Sequence, residues 1–95
     1  MKRTAKPTHP GDVLVAELDE RGMSAHALAM ALRVPATRIG AILHGERAVT
    51  ADTALRLARY LGGTAQFWLN LQGNYDIAMA ERKRGPEIGN IQPAA

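Results

Sequence analysis

The spacing of apolar residues along the chain predicts helices throughout. Apolar side chains recur three and four positions apart between glycine and proline residues, and runs of β-branched residues are absent. No segment alternates apolar and polar positions in the manner of a half-buried strand. We therefore expect an all-α chain.

The first two helices of this pattern have clear starting signals. Pro10 suits a first helical position, and Leu14 and Leu18 give that helix an apolar stripe before it ends ahead of Gly22. Ser24 is a favourable N-cap for a second helix, which we expect to extend through about Leu32. The predicted buried face of this second helix comprises Leu28, Ala31 and Leu32.

Three further helices are predicted from the same signals, which are prolines, N-caps and apolar spacing. Pro35 can begin a helix but cannot continue one, so we expect a third helix from about Pro35 to His44, ended by Gly45. Its expected buried residues are Ile39, Ile42 and Leu43. Thr50 caps a fourth helix to about Leu61, expected to pack through Ala54, Ala58 and Leu61, and Thr64 caps a fifth. The expected buried face of the fifth helix comprises Phe67, Trp68, Leu71, Tyr75 and Ala78.

The chain length and the glycine and proline positions give a domain plan. Ninety-five residues suffice for one small core. The last fourteen residues hold two glycines and two prolines, which favours irregular or mobile chain there. We expect an N-terminal arm over 1–9, a folded domain over 10–81 and a flexible tail over 82–95.

The composition excludes several classes of protein. Cysteine is absent, which excludes disulfides, thiolate metal sites and a cysteine nucleophile. No apolar run is long enough for a membrane span or a signal peptide, so we expect a cytoplasmic protein without a membrane partner. The net charge is only +3, and the surplus of arginine and lysine lies within 23–50 and in the tail.

The segment from Ser24 to His44 matches a helix-turn-helix, whose second helix enters the major groove of double-stranded DNA. Arg38 suits a bidentate contact to guanine, and Thr37 can form a hydrogen bond to several of the bases. Small residues can pack on a thymine methyl. Backbone N–H groups at the start of the second helix suit a phosphate. The candidate DNA contacts are Ser24, Ala25, Arg33, Ala36, Thr37, Arg38, Ala41, His44 and Arg47.

Two alternatives stay open at this stage. Amphipathic helix pairs joined by a turn are common in proteins that bind no DNA, and Arg33 stands where such a turn often has glycine. A different turn geometry would weaken the DNA-binding hypothesis. His44 is favoured as a helix-end group that interacts with the helix dipole, with phosphate contact as the functional alternative.

The fifth helix carries apolar residues on more than one face, which is typical of a helix buried on two sides. We expect Trp68, Leu71 and Tyr75 to contribute to a homodimer interface, with membership of the chain's own core as the alternative. A two-fold dimer would place its recognition helices about 34 Å apart and so bind an inverted-repeat operator.

Nothing in the sequence indicates catalysis or a cofactor. His9, His26 and His44 share no helical face, so a metal site is not expected. Ser24 has no histidine and aspartate partners in any recognised arrangement. We therefore expect neither an enzyme nor a metal or cofactor site.

Several blocks of sequence together resemble the HigA-type antitoxins of bacterial toxin–antitoxin systems, within the phage-repressor-like XRE family. They are Pro10-Gly11-Asp12, Leu28 to Arg47, Thr50 to Ala58, and Phe67-Trp68-Leu69-Asn70-Leu71-Gln72. The resemblance covers roughly residues 9–81. It implies a five-helix lambda-repressor-like fold, a homodimer, repression of its own operon, and neutralisation of a cognate HigB/RelE-like toxin that cleaves mRNA.

Two other functions fit the same residues. One is a stand-alone prophage-type transcriptional repressor, which the neighbouring gene would distinguish from an antitoxin. The other is a protein-interaction module that sequesters a partner through its first and fifth helices without binding DNA. That module would lack the salt-dependent DNA affinity expected of a repressor.

Overall fold

The computed structural model describes residues 7–94, which fold into five helices and contain no strand. These helices are α1 (Pro10–Arg21), α2 (Ala25–Leu32), α3 (Ala36–Leu43), α4 (Ala51–Leu61) and α5 (Ala65–Gly89). The predicted all-α, five-helix repressor fold is confirmed. Residues 1–6 of the expected N-terminal arm lie outside the described part. Within residues 7–94, no helix is both long enough and apolar enough to cross a membrane.

Side-chain caps begin three of the helices, as the sequence predicts. The hydroxyls of Ser24, Thr50 and Thr64 accept hydrogen bonds from the backbone N–H three residues further on, at 3.0, 3.4 and 3.1 Å. Each such cap is worth about 1 kcal/mol of stability. The starts of α2, α4 and α5 are therefore determined by local sequence.

The start of α1 has a cap that the sequence analysis missed. His9 is buried, and its Nδ1 accepts the N–H of Gly11 at 2.8 Å. The backbone N–H of His9 donates to the carboxylate of Asp12 at 3.3 Å, which completes a capping box. The imidazole also meets the ring of Tyr75 edge-on, with centroids 4.8 Å apart. His9 thus fixes the start of α1 against α5.

Gly11 sets how closely α1 approaches α3. A Cβ atom at this position would overlap the backbone carbonyl oxygen of Ile42. The overlapping atom belongs to the main chain of α3, so no side-chain rotation can relieve the conflict. Glycine is required here because the two backbones are in direct contact.

One apolar core joins all five helices. On α2 it takes Ala29, whereas the predicted Ala31 is exposed. On α4 it takes Leu57, with the predicted Ala58 and Leu61 only half-buried. The core residues are Leu14, Leu18, Leu28, Ala29, Leu32, Ile39, Ile42, Val49, Ala54, Leu57 and Trp68.

The last helix is longer than the sequence predicts. The expectation of irregular chain from Arg82 is wrong, because α5 runs on to Gly89 through a kink at Arg84. Arg84 has non-helical angles (φ −132°, ψ 15°), and Pro86 lies in the first turn of the segment that follows. A proline is tolerated there because the first turn has no internal acceptor for its missing N–H.

The distal part of α5 projects from the core. The radius of gyration is 15.9 Å, against about 12 Å for a compact chain of this length. The longest dimension is 49 Å, compared with 29 and 22 Å for the other two. Apolar side chains along this projection, including Ile77, Ile88 and Ile91, are exposed.

Candidate nucleic-acid interface

The turn between α2 and α3 has the left-handed geometry that usually requires glycine. Arg33 has φ 61° and ψ 46° and is the only non-glycine residue with positive φ among residues 7–94. Its N–H donates to the carbonyl of Met30 at 3.2 Å, and the N–H of Val34 donates to that of Ala29 at 3.1 Å. The arginine therefore adopts the glycine-type turn at a cost of roughly 1–2 kcal/mol, and the alternative of a different turn geometry is wrong.

Helix α3 has a buried side and an accessible side. Ile39 and Ile42 are fully buried against the other helices. The accessible side carries small or polar residues, each exposed or half-buried: Ala36, Thr37, Arg38, Gly40 and Ala41. The residues predicted to contact bases therefore all lie on the accessible side.

Arg38 is held in an ion-pair network. Its Nη1 donates to Oδ2 of Asp52 at 3.1 Å, and Nε of Arg56 donates to the same oxygen at 3.0 Å. Nη1 of Arg56 also donates to the carbonyl of Leu32 at 2.9 Å. The hydrogen bond from Arg56, together with that from Arg38, holds the pKa of Asp52 below its ordinary value. Asp52 therefore stays ionised and binds α3 to α4.

The start of α2 is suited to an anion. Neither α2 nor α3 has an acidic residue in its first turn, so no carboxylate opposes the partial positive charge of the N–H groups there. The hydroxyl of Ser24 is already used as the cap and accepts from Ala27. The O–H of Ser24 remains free to donate, so a phosphate here could accept from it and from the backbone N–H groups of Ser24 and Ala25.

His44 is bonded to the end of α3. Its Nδ1 lies 2.7 Å from the carbonyl oxygen of Gly40. A carbonyl oxygen can only accept, so Nδ1 is the protonated nitrogen in this contact. The geometry matches the helix-end interpretation of His44, while its exposed ring lies beside the loop that carries the exposed Arg47.

A buried glutamine anchors that loop, and the sequence analysis missed it. Oε1 of Gln72 accepts the N–H of Val49 at 2.8 Å, and its Nε2 donates to Asp76 at 2.9 Å. Gln72 is only 7% exposed. A signal was present in the sequence, since Gln72 lies one helical turn after Trp68 on the face that α5 buries.

One of the three predicted dimer residues is buried in the chain's own core, and the other two are half-buried. Trp68 belongs to the core at 4% exposure, and Leu71 and Tyr75 are half-buried. Phe67, which was expected on the buried face of α5, is 48% exposed and touches Trp68 edge-on. Trp68 is therefore unavailable to a second chain without a change in the core, and α5 instead exposes Phe67 and Ile77.

A further apolar surface lies between α2 and α4. Leu55 and Tyr60 are exposed there. Arg33 and Arg59 lie beside this surface and line the same shallow hollow as Leu55 and Tyr60. The apolar spacing of α2 and α4 did not indicate this surface. Across residues 7–94, the structure brings together no group of three potential metal ligands.

Comparisons with known proteins agree with this geometry. Residues 14–68 match the helix-turn-helix family. Virulence-associated protein I of Dichelobacter nodosus is 56% identical over 77 residues, which cover 80% of this chain and 71% of that protein. Helix-turn-helix regulators are not enzymes, in agreement with the sequence analysis.

Two solved structures resemble the whole described chain. An addiction module antidote protein of the HigA family from Coxiella burnetii is 50% identical, with a TM-score of 0.89 over 94% of this chain and 99% of that one. The Pseudomonas aeruginosa antitoxin HigA with the higBA promoter is 42% identical, with a TM-score of 0.90 over 95% and 100% of the two chains. The chain therefore belongs to the helix-turn-helix family, in the group that includes the HigA-type antitoxins.

Proposed function

We propose that the chain is a sequence-specific DNA-binding antitoxin that represses its own operon as a homodimer and neutralises a HigB/RelE-like toxin that cleaves mRNA. The accessible side of α3, with Thr37 exposed and Arg38 half-buried beside it, is the observation that carries the DNA-binding half of this proposal. The similarity to a HigA antitoxin solved with promoter DNA supports it.

Recognition of the bases falls to α3. Arg38 uses Nη1 for Asp52, so Nε and Nη2 remain for the O6 and N7 acceptors of a guanine. Thr37 can bond a neighbouring base, and Ala36 and Ala41 leave room for close contact with thymine methyl groups. The main contribution to specificity therefore comes from Arg38.

Contacts to the DNA backbone would flank α3. The start of α2 at Ser24 and Ala25 offers N–H groups, and Arg33 and Arg47 are exposed on the two sides of the helix-turn-helix. Exposed phosphate contacts of this kind supply affinity for any sequence and make binding weaken as salt increases.

The homodimer is the part of the proposal that sets the operator's symmetry. A two-fold axis would place two copies of α3 about 34 Å apart, so that an inverted repeat is bound on one side of the duplex. Two exposed apolar surfaces can support such a dimer: Phe67 and Ile77 on α5, and Leu55 and Tyr60 on α4.

Replacement of Arg38 tests the DNA-binding half. We expect Arg38→Ala to weaken binding to the chain's own upstream DNA by about 1–3 kcal/mol and to remove the preference at one base pair. The matched control is Arg21→Ala, which removes the same charge at the end of α1, where Arg21 pairs with Glu17. Affinity measured on operator and random DNA distinguishes the two. Equal losses on both DNAs would contradict base recognition by Arg38.

The antitoxin half is tested by the neighbouring gene product. We expect that protein to bind this chain and to alter its gel shift on upstream DNA. Operator binding without any such partner would identify a stand-alone repressor, whereas partner binding without DNA affinity would identify an interaction module.

A further inference from the structure

We infer that Asp52 is a positioning residue for sequence recognition: it holds Arg38 in place for a base contact and limits binding to other DNA. This inference rests on the proposed DNA-binding function. It concerns a residue that lies on α4, outside the helix-turn-helix itself.

The geometry of the carboxylate is the first support. One oxygen, Oδ2, accepts from Arg38 on α3 at 3.1 Å and from Arg56 on its own helix at 3.0 Å. The side chain of Arg38 is 25% exposed, compared with 58% for Asp52. The aspartate is thus at the surface, and the arginine is the more enclosed of the pair.

The network is anchored to the backbone at its far end. Arg56 donates to the carbonyl oxygen of Leu32, at the last turn of α2, where the helix has no internal donor for it. Asp52 therefore depends on Arg56 for its own position, and the three helices α2, α3 and α4 meet in one set of hydrogen bonds.

Restraint of Arg38 affects specificity because it orients the planar guanidinium group. An unrestrained arginine side chain loses rotamer freedom when it is fixed on binding. Asp52 removes part of that loss in advance by holding Nη1, and it leaves the edge formed by Nε and Nη2 free for guanine. A correctly placed guanine then gains a preoriented donor pair.

The charge of Asp52 also favours specific binding, because it weakens binding to random DNA. Among the residues that line the hollow between α2 and α4, Asp52 is the only carboxylate beside Arg33, Arg56 and Arg59. Its negative charge opposes the attraction of these arginines for phosphates of any sequence. Removal of the charge would therefore strengthen non-specific binding and increase its dependence on salt.

The experiment compares Asp52→Asn with Glu17→Gln. Both remove one negative charge from a carboxylate that pairs with an arginine four residues along α1 or α4, at 2.9 Å for Glu17 and 3.0 Å for Asp52. Affinity is measured on operator and random DNA at several salt concentrations. We expect Asp52→Asn to lower the operator-to-random ratio about tenfold with a steeper salt slope on random DNA, and Glu17→Gln to leave the ratio unchanged.

The same substitution made in a chain that lacks Arg38 separates the positioning of Arg38 from a general structural effect of Asp52→Asn. In a chain that already carries Arg38→Ala, Asp52→Asn should lower the ratio by much less, because only the effect of its charge on random DNA remains. Thermal unfolding of each variant shows whether the fold is retained.

Three results would overturn the inference. They are an unchanged ratio in Asp52→Asn, a fall of the same size in the Arg38→Ala background, and tighter operator binding with the ratio kept. The last result would mean that Asp52 sequesters Arg38 from DNA. If the wild-type chain showed no preference for its upstream DNA, the proposed function would fail and the inference with it, whereas the first three results leave that function intact.

Discussion

The helix-turn-helix and the distal half of α5 are both helical, yet they are stabilised in different ways. Helices α2 and α3 have eight residues each and are too short to be stable alone, so they depend on the buried side chains of Leu28, Ile39 and Ile42. Beyond Gln72, no described residue is buried, and the helix continues from a segment that is already formed. Helical structure therefore gives no indication of where the core is.

The largest expected effect on stability concerns the part of α5 that packs in the core. Trp68→Ala should lower the free energy of unfolding by about 3–5 kcal/mol, because it leaves a cavity in the core. The neighbouring Phe67→Ala is the control and should cost far less, since Phe67 is 48% exposed. Urea denaturation measures both. Similar losses at the two positions would mean that Phe67 is buried in solution, for example in a dimer.

The contact between α1 and α3 predicts an intermediate effect. Gly11→Ala should destabilise the fold by about 2–3 kcal/mol, since the added methyl group meets the backbone carbonyl of Ile42. Gly73→Ala on α5 is the control. Nothing lies within 4 Å of its Cβ position, so the same change should stabilise the helix by about 0.5–1 kcal/mol. A neutral result at Gly11, measured by thermal unfolding, would contradict the close approach of the two helices.

The smallest expected effect on stability concerns the projecting half. Ile77→Lys should leave the free energy of unfolding of the single chain within about 0.5 kcal/mol, because the side chain is 62% exposed. If α5 forms the dimer interface, sedimentation should nevertheless show a weakened dimer. Leu55→Lys, at a side chain that is 63% exposed on α4, is the matched variant. A dimer lost with Leu55→Lys and kept with Ile77→Lys would place the interface on α4.

Most features governed by neighbouring residues were predicted from the sequence, although the local cap formed by His9 was not. The caps Ser24, Thr50 and Thr64 each bond the third residue after them, so their effect is contained within four positions. The sides of α3 were also predictable, because Ile39 and Ile42 repeat at helical spacing. The sequence therefore predicted which side of α3 is accessible.

Features that join distant residues were not predictable. Arg38 and Asp52 are fourteen positions apart, and Gln72 and Val49 twenty-three, so these contacts require knowledge of how α3, α4 and α5 pack. The tail shows a different difficulty. Gly85 and Pro86 are equally suited to end a helix and to begin one, and local signals do not decide between the two.

The left-handed turn at Arg33 has a consequence for engineering. Glycine at this position would relieve backbone strain, yet it would also delete a cation next to the candidate DNA-binding surface. A variant selected for heat resistance alone would thus be expected to lose affinity for polyanions. At this turn the arginine lowers the stability of the fold and supplies a positive charge.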